Sequence, residues 1–388
     1  MKPRFFIHSI LGALLFTLVL LPLSVGTAVA GGVKDSYHGQ MGYGMGKGML
    51  EKWCALPNFS YYQQGGIDGW TQQSCNGCHI GAPWNPTKTH ADCSRCHVSA
   101  TPKFGDAEVE SSRCMTCHKK DTSKRGDMFT PEEDVHINAG FVCHDCHIRV
   151  EDDYSDHQFL KGTAMDTTEP TMMGTMSCTM AGCHEGQPHD IGTDDGVKLN
   201  EHTAKVACET CHTGLRPAAA LASRHWNVFS ETGVVKTTKH APGWLPVYKW
   251  YDNTGPGISG NFHLPILGYT ERRDAEGAKI YPFNAVTVDW FVKSKKSDYD
   301  EVIIVPEVKA ADADLNGTVT LEEMQAVYSK AVLKTADMNF SINHSVLPAN
   351  EAFVCDDCHG SEAWLLDWNQ LGYADDPTST KKRPKKSK

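Results

Sequence analysis

The chain has 388 residues, with 37 basic and 47 acidic side chains and a net charge of −10 at pH 7. An acidic chain lacks the basic face that nucleic-acid binding requires, so redox proteins and small molecules are the partners to expect. Hydrophobic residues make up 40% and aromatic residues 9%, but Leu and Ile are sparse between residues 31 and 215, which excludes a protein-only core across that stretch.

Residues 1–30 carry Lys2 and Arg4, an apolar run from Phe5 to Leu23 and the triplet Ala28-Val29-Ala30. This order of charge, apolar run and small residues is that of a secretory signal with an A-x-A cleavage site. The run is long enough for an uncleaved membrane anchor to be the alternative, and no other segment could span a bilayer. The mature chain, from Gly31, is therefore expected in the periplasm or outside the cell. Residues 31–74 read as an N-terminal arm. HGQMGYGMGKGM (38–49) is rich in Gly and Met without a strong period, so Met41, Met45 and Met49 suit a loose surface better than an iron. Cys54, in WCALP (53–57), stands outside every motif below, as a free reactive thiol or an intermolecular bridge.

Six motifs crowd into residues 75–213. They are CNGCH (Cys75, Cys78, His79), CSRCH (Cys93, Cys96, His97), CMTCH (Cys114, Cys117, His118), CHDCH (Cys143, Cys146, His147), CTMAGCH (Cys178, Cys183, His184) and CETCH (Cys208, Cys211, His212). A seventh, CDDCH (Cys355, Cys358, His359), lies in residues 346–377. The pattern is that of c-type haem attachment: two thiols add to the haem vinyl groups and the adjacent His binds the iron. CTMAGCH has four intervening residues instead of two, a loop that can still span a haem edge. Zinc ribbons and disulfide frameworks also pair cysteines. Here, however, a His follows every second Cys, and the motifs take fourteen of the fifteen cysteines. Seven covalent haems would supply the apolar bulk that the sequence lacks. The fold class to expect is a multihaem cytochrome c, mainly short α-helices and loops wrapped around haems.

Successive first cysteines in the cluster are 18 to 35 residues apart, too irregular for a solenoid but short enough to keep porphyrins close. Ligation by two histidines needs a second His per iron. His136, His157, His189, His202 and His344, in polar loops near motifs, are the candidates. His144, inside CHDCH, is balanced between ligand and surface residue.

Residues 214–345 lack haem motifs and read as a small mixed lobe. VYKWYDN (247–253), KIYPFNAVTVDWFV (279–292) and EVIIVPEV (301–308) have the aromatic and β-branched content of strands. Within the lobe DADLNGTVTLEE (312–323) fits the EF-hand-like calcium pattern. Asp312, Asp314 and Asn316 would supply side-chain oxygens and Gly317 the sharp turn. Thr318 would offer a carbonyl, Thr320 a ligand directly or through water, and Glu323 a bidentate carboxylate. The competing reading is an acidic turn capped by the helix that follows. LEEMQAVYSKAV (321–332) reads as that helix, with Met324, Val327 and Val332 toward one side. Residues 378–388 end in KKRPKKSK, a disordered tail or a docking arm for an anionic surface.

Several long segments together resemble the octahaem tetrathionate reductase family of c-type cytochromes. They are DVHINAGFVCHDCH (134–147), LNEHTAKVACETCH (199–212), SRHWNVFSETG (223–233), LPVYKWYDN (245–253), KIYPFN (279–284), NHSVLPANEAFVCDDCH (343–359) and LGYADDP (371–377). The resemblance runs from about Cys54 to Pro377. It implies a haem near the N-terminus with a Lys as its distal ligand, acting as the catalytic centre. CNGCHIGAPW (75–84) resembles that segment, Lys103 is the nearest candidate Lys, and Cys54 looks like a pocket Cys. The family's first haem motif is absent here. Where the family has Lys-His-Gly-Asp, this chain has Lys124-Arg125-Gly126-Asp127, so a distal His has become Arg. The calcium loop looks like an insertion.

Three functions follow. The first is a reductase of a small sulfur or nitrogen compound (tetrathionate, nitrite or hydroxylamine) at the haem of His79, with Lys103 and Cys54 as catalytic residues. In its bland counterpart Lys103 is a solvated loop residue and His90 or His38 binds that iron. The second is a pure electron-transfer conduit. The third is a subunit of a larger cytochrome assembly.

Overall fold

The computed structural model describes residues 96–97, 109–118, 122, 125–148, 159, 176–180, 182–216, 222–227, 236–251, 263–264, 273–295, 300–303, 305–316 and 319–379. The leader, the N-terminal arm with Cys54, the first motif, Cys93, Lys103, His157, Gly317, Thr318 and the tail beyond residue 379 lie outside the described residues.

The motif region is built of short helices: α1 (Ser111–His118), α2 (Val135–Asn138), α3 (Cys143–Cys146), α4 (Asp194–His202) and α5 (Cys208–His212). The seventh motif forms α8 (Cys355–Cys358). A Cys-x-x-Cys turn in helical conformation puts both sulfurs on one side, because residues three apart share a helix face. Acids inside two motifs close these turns. Asp145 accepts from the Val142 N–H at 2.7 Å, and Asp357 accepts from the Val354 N–H at 2.7 Å. Each carboxylate thereby satisfies one of the N–H groups a helix start leaves open.

The haem-free region forms a seven-stranded sheet. Its strands are β1 (Ser223–Asn227), β2 (Lys236–Lys239), β3 (Val247–Tyr251), β4 (His263–Leu264), β5 (Lys279–Lys295), β6 (Asp300–Val302) and β7 (Val332–Ser341). The 17-residue β5 organises the rest. β3 pairs antiparallel with its first residues, β7 antiparallel along Phe283–Val292, β6 antiparallel near its end, and β1 runs parallel to it. The sheet is larger than the small lobe that the strand-like segments suggest, because β1 and β7 add to β5 from distant parts of the chain.

Two segments differ from their sequence reading. EVIIVPEV is strand only to Val302, and α6 (Val305–Ala310) follows. Pro306 falls in the first turn of α6, where its missing N–H costs nothing. LEEMQAVYSKAV is helical only in α7 (Leu321–Val327), and Val332 opens β7 opposite Val292. Met324 is buried, whereas Val327 and Val332 are exposed.

Among the described residues, no apolar side chain before Ala207 is buried. The core lies where the sheet meets the C-terminal segment: Tyr248, Trp250, Ile280, Leu365 and Leu371 cluster, with Val206, Phe353 and Trp368 against them. Backbone bonds tie this core to the sixth motif. Ile280 N–H donates to Lys205 O at 2.8 Å, and Ala207 N–H donates to Ile280 O at 3.0 Å. Thr210 Oγ1 donates to the same carbonyl at 2.7 Å. The sheet therefore acts as the platform for the sixth and seventh motifs. No helix among the described residues is long and apolar enough to cross a membrane.

Candidate haem-binding centres

In the fourth and seventh motifs the His N–H donates to the carbonyl of the first Cys at 2.9 Å, from His147 to Cys143 and from His359 to Cys355. The longer motif reaches the same closure: His184 N–H donates to Cys178 O at 3.1 Å. Gly182, at φ +86°, takes up the two extra residues, since only Gly adopts that region without strain. CTMAGCH thus presents the same local relation of first Cys to His.

Four motif histidines each face a histidine from elsewhere in the chain. His136 and His184 have ring centres 6.1 Å apart, His147 and His344 6.2 Å, His189 and His212 6.3 Å, and His202 and His359 6.1 Å. An imidazole nitrogen binds a metal at about 2 Å and lies about 1 Å from its ring centre, so two rings across one iron have centres about 6 Å apart. Ordinary aromatic pairs also meet at such distances. Four pairs within 6.1 to 6.3 Å, each joining a motif His to a non-motif His, are instead the pattern of a shared central atom.

The surroundings also suit a porphyrin. Arg216 is 1% exposed, with its Nε and Nη1 unpartnered, and the buried Trp244 Nε1 and Tyr248 hydroxyl are unpartnered too. Arg216 and Trp244 are neighbours: both approach Gly126, whose φ of +70° and contact with Trp244 leave no space for a Cβ. Buried donors without partners are rare, and carboxylates of the propionate type satisfy them. Phe141, Ile148 and Val354 are exposed beside motifs, as apolar surface that a porphyrin face would cover.

Residues 237–362 match the family model described as bacterial cytochrome c. Octahaem cytochrome c from Shewanella oneidensis has the same fold, with a TM-score of 0.57, 23% identity, and cover of 80% of this chain and 83% of that one. A search of curated proteins found no match. The chain thus shares its fold with a multihaem c-type cytochrome, and about a third of it matches the bacterial cytochrome c model.

The facing histidines are held from behind. His359 Nδ1 lies 2.8 Å from Asp376 Oδ1, His344 Nδ1 3.2 Å from Asp127 Oδ2, and His189 Nδ1 3.1 Å from Asn200 Oδ1. His136 Nδ1 lies 3.6 Å from Asp134 Oδ1. Burial alone would raise the Asp134 carboxyl, but hydrogen bonds from His136, Ile137 and Val346 bring it down to about 2. His136 rises in turn, through its bond to that carboxylate. His202 and His212 are pushed down, first by desolvation from the protein packed around part of each ring and then by their facing histidines. Iron binds neutral imidazole, which the downward shifts of His202 and His212 favour. Asp127 is fully buried and paired by Arg216 Nη2 at 2.9 Å.

The thiols stand in a row. The Cys114 thiol donates a hydrogen bond to Cys143, which raises Cys114 and lowers Cys143 to about 5. Cys178 bonds in the same way to Cys208, lowered to about 7. Cys146 lies within electrostatic reach of Cys183, and Cys211 of Cys355. Neighbouring motifs from the third to the seventh thus put their attachment edges side by side.

Cys54, Cys75, Cys78, His79, Cys93, Lys103 and His157 lie outside the described residues. His144 has a buried, unpartnered Nδ1 and joins none of the four pairs. Arg125 is buried against β7, with Nη1 donating to Ser341 O and its guanidinium over the Phe340 ring. In the acidic loop, Asp312, Asp314 and Glu323 bring oxygens within 4.8 Å of one another. Glu323 also accepts from the Thr320 N–H at 2.8 Å and from Thr320 Oγ1 at 2.9 Å. Sequence reasoning missed Asp127, Asn200, Arg216 and Asp376. Their partners lie 11 to 217 residues away, and no local pattern marks them.

Proposed function

We propose that the protein is an exported seven-haem electron carrier whose haems of His147, His184, His212 and His359 are each held between two histidines. The four facing imidazole pairs carry this reading. His344, His136, His189 and His202 are the respective distal ligands. Bound haem supplies a one-electron Fe(III)/Fe(II) couple. The chain's part is to bind the irons on both sides, to exclude water and to set the motifs in a row through Cys114–Cys143, Cys146–Cys183, Cys178–Cys208 and Cys211–Cys355. Two histidines per iron leave no face for substrate, so these four centres serve electron transfer with redox partner proteins. A reductase site of the kind the resemblance implies falls on the haem of Cys75, Cys78 and His79, with Lys103 and Cys54. Intact-protein mass spectrometry is expected to show seven haem masses, and electron paramagnetic resonance at least four low-spin bis-imidazole signals. Six haems or fewer would remove the count, and fewer than four such signals the ligation.

We further propose that calcium binds at 312–323, on the convergence of Asp312, Asp314 and Glu323. A ligand that binds only the folded state stabilises it by about 2.7 kcal/mol at a hundredfold excess over Kd. Calcium is expected to raise the thermal midpoint and Glu323→Gln to abolish that rise. An unchanged midpoint with calcium in the wild type would leave the loop as a helix cap, a role the Thr320–Glu323 bonds already fill.

A further inference from the structure

The four pairs differ in what stands behind the ring. Asp376, Asp127 and Asp134 place a carboxylate oxygen at Nδ1 of His359, His344 and His136. Behind His189 stands an amide. Asn200 Oδ1 accepts from the His189 backbone N–H at 3.0 Å, and Asn200 Nδ2 donates to the His189 carbonyl at 2.9 Å. Those two bonds fix which end of the amide is oxygen. The oxygen therefore faces Nδ1, the ring carries its proton there, and Nε2 is left for iron.

A carboxylate behind a ligating histidine makes the ring more basic and adds negative charge near the metal. Both effects favour Fe(III) and lower the reduction potential. An amide oxygen orients the ring without the charge. Glu209, the acid inside the sixth motif, is half-buried and accepts from Tyr281 Oη at 2.6 Å, and desolvation disfavours its charged form.

Resting on the bis-histidine reading above, we infer that Asn200 is a positioning residue that sets the iron between His189 and His212 at a higher potential than its neighbours between His136 and His184 and between His202 and His359. This centre sits inside the row, with attachment cysteines near those of the fifth and seventh motifs. Of these three centres it is the first to be reduced, and its two neighbours follow.

The test is a spectroelectrochemical titration of the fully haem-loaded protein, with paramagnetic resonance spectra taken at each stage of reduction. Asn200→Asp is expected to make the first-reduced of these three centres about tenfold harder to reduce, about 59 mV for a one-electron couple. Asp376→Asn is expected to ease reduction of a different, later centre by a similar factor. All low-spin signals persist in both variants. Unmoved potentials with those signals intact, or an Asn200→Asp shift on a late-reduced centre, would overturn the inference. If Asn200→Asp fails to mature, Asp376→Asn decides: a shift on the first-reduced centre would overturn it. Failure of the underlying ligation looks different, as His189→Ala would then produce no high-spin iron.

Discussion

Exchanging Arg216 for leucine is expected to destabilise the folded protein by about 3–5 kcal/mol, the cost of removing one partner from a buried ion pair. Arg216 and Asp127 are both without solvent exposure and 2.9 Å apart. Arg216 Nη2 also donates to Gly126 O at 2.9 Å and to His344 O at 3.4 Å. Desolvation works against the Arg216 charge, and Asp127 supports it. Without the guanidinium, the buried Asp127 carboxyl loses its 2.9 Å partner, with the His344 ring beside it. Denaturant unfolding of the haem-loaded protein measures the loss. A double variant with Asp127→Asn removes the orphaned charge and should recover a large part of it. A loss under about 1 kcal/mol for Arg216→Leu alone would show that the pair only breaks even against an apolar replacement. Arg216→Lys is not a conservative control, because it keeps the charge and discards the fork.

Replacing His202 by alanine is expected to convert one haem from low-spin to high-spin and to create one iron that binds carbon monoxide when reduced. His202 is exposed at the end of α4, so its removal costs the polypeptide little packing. Its ring faces His359 at 6.1 Å, and His359 stays anchored by Asp376 and packed on Trp368. The affected centre is therefore the haem of Cys355 and Cys358, with the other centres unchanged. Equal carbon monoxide binding by variant and wild type would show that His202 does not close that iron.

Much of the local chemistry was legible without a structure. Each attachment motif is one helical turn or one tight loop whose residues carry all the information it needs. Cys143–His147 and Cys355–His359 close by bonds within the motif, and Asp145 and Asp357 cap those turns from inside. The strand character of 279–292 was equally local, in alternating aromatic and β-branched residues. The end of the third strand-like run was not recognised, although Pro306 marks it, because its β-branched residues outweighed a proline that a helix start tolerates. The turn from helix to strand after Val327 was missed because Val332 takes its place by pairing with Val292, forty residues earlier.

The sequence by itself determined how many haem motifs there are, which cysteines and histidines form them, and which segment is rich in strands. Only the tertiary structure decided which histidine stands opposite which. His136 lies seven residues before Cys143 yet faces His184, and His202 lies six residues before Cys208 yet faces His359. His344 lies eleven residues before Cys355 yet faces His147. A distal ligand must reach the porphyrin face opposite the motif helix. Which part of the chain arrives there depends on how the sheet and the motif turns pack, not on distance along the chain. The same holds for Asp127 and Arg216, 89 residues apart in sequence and 2.9 Å apart in space: a buried charge selects its partner by what the fold brings within reach.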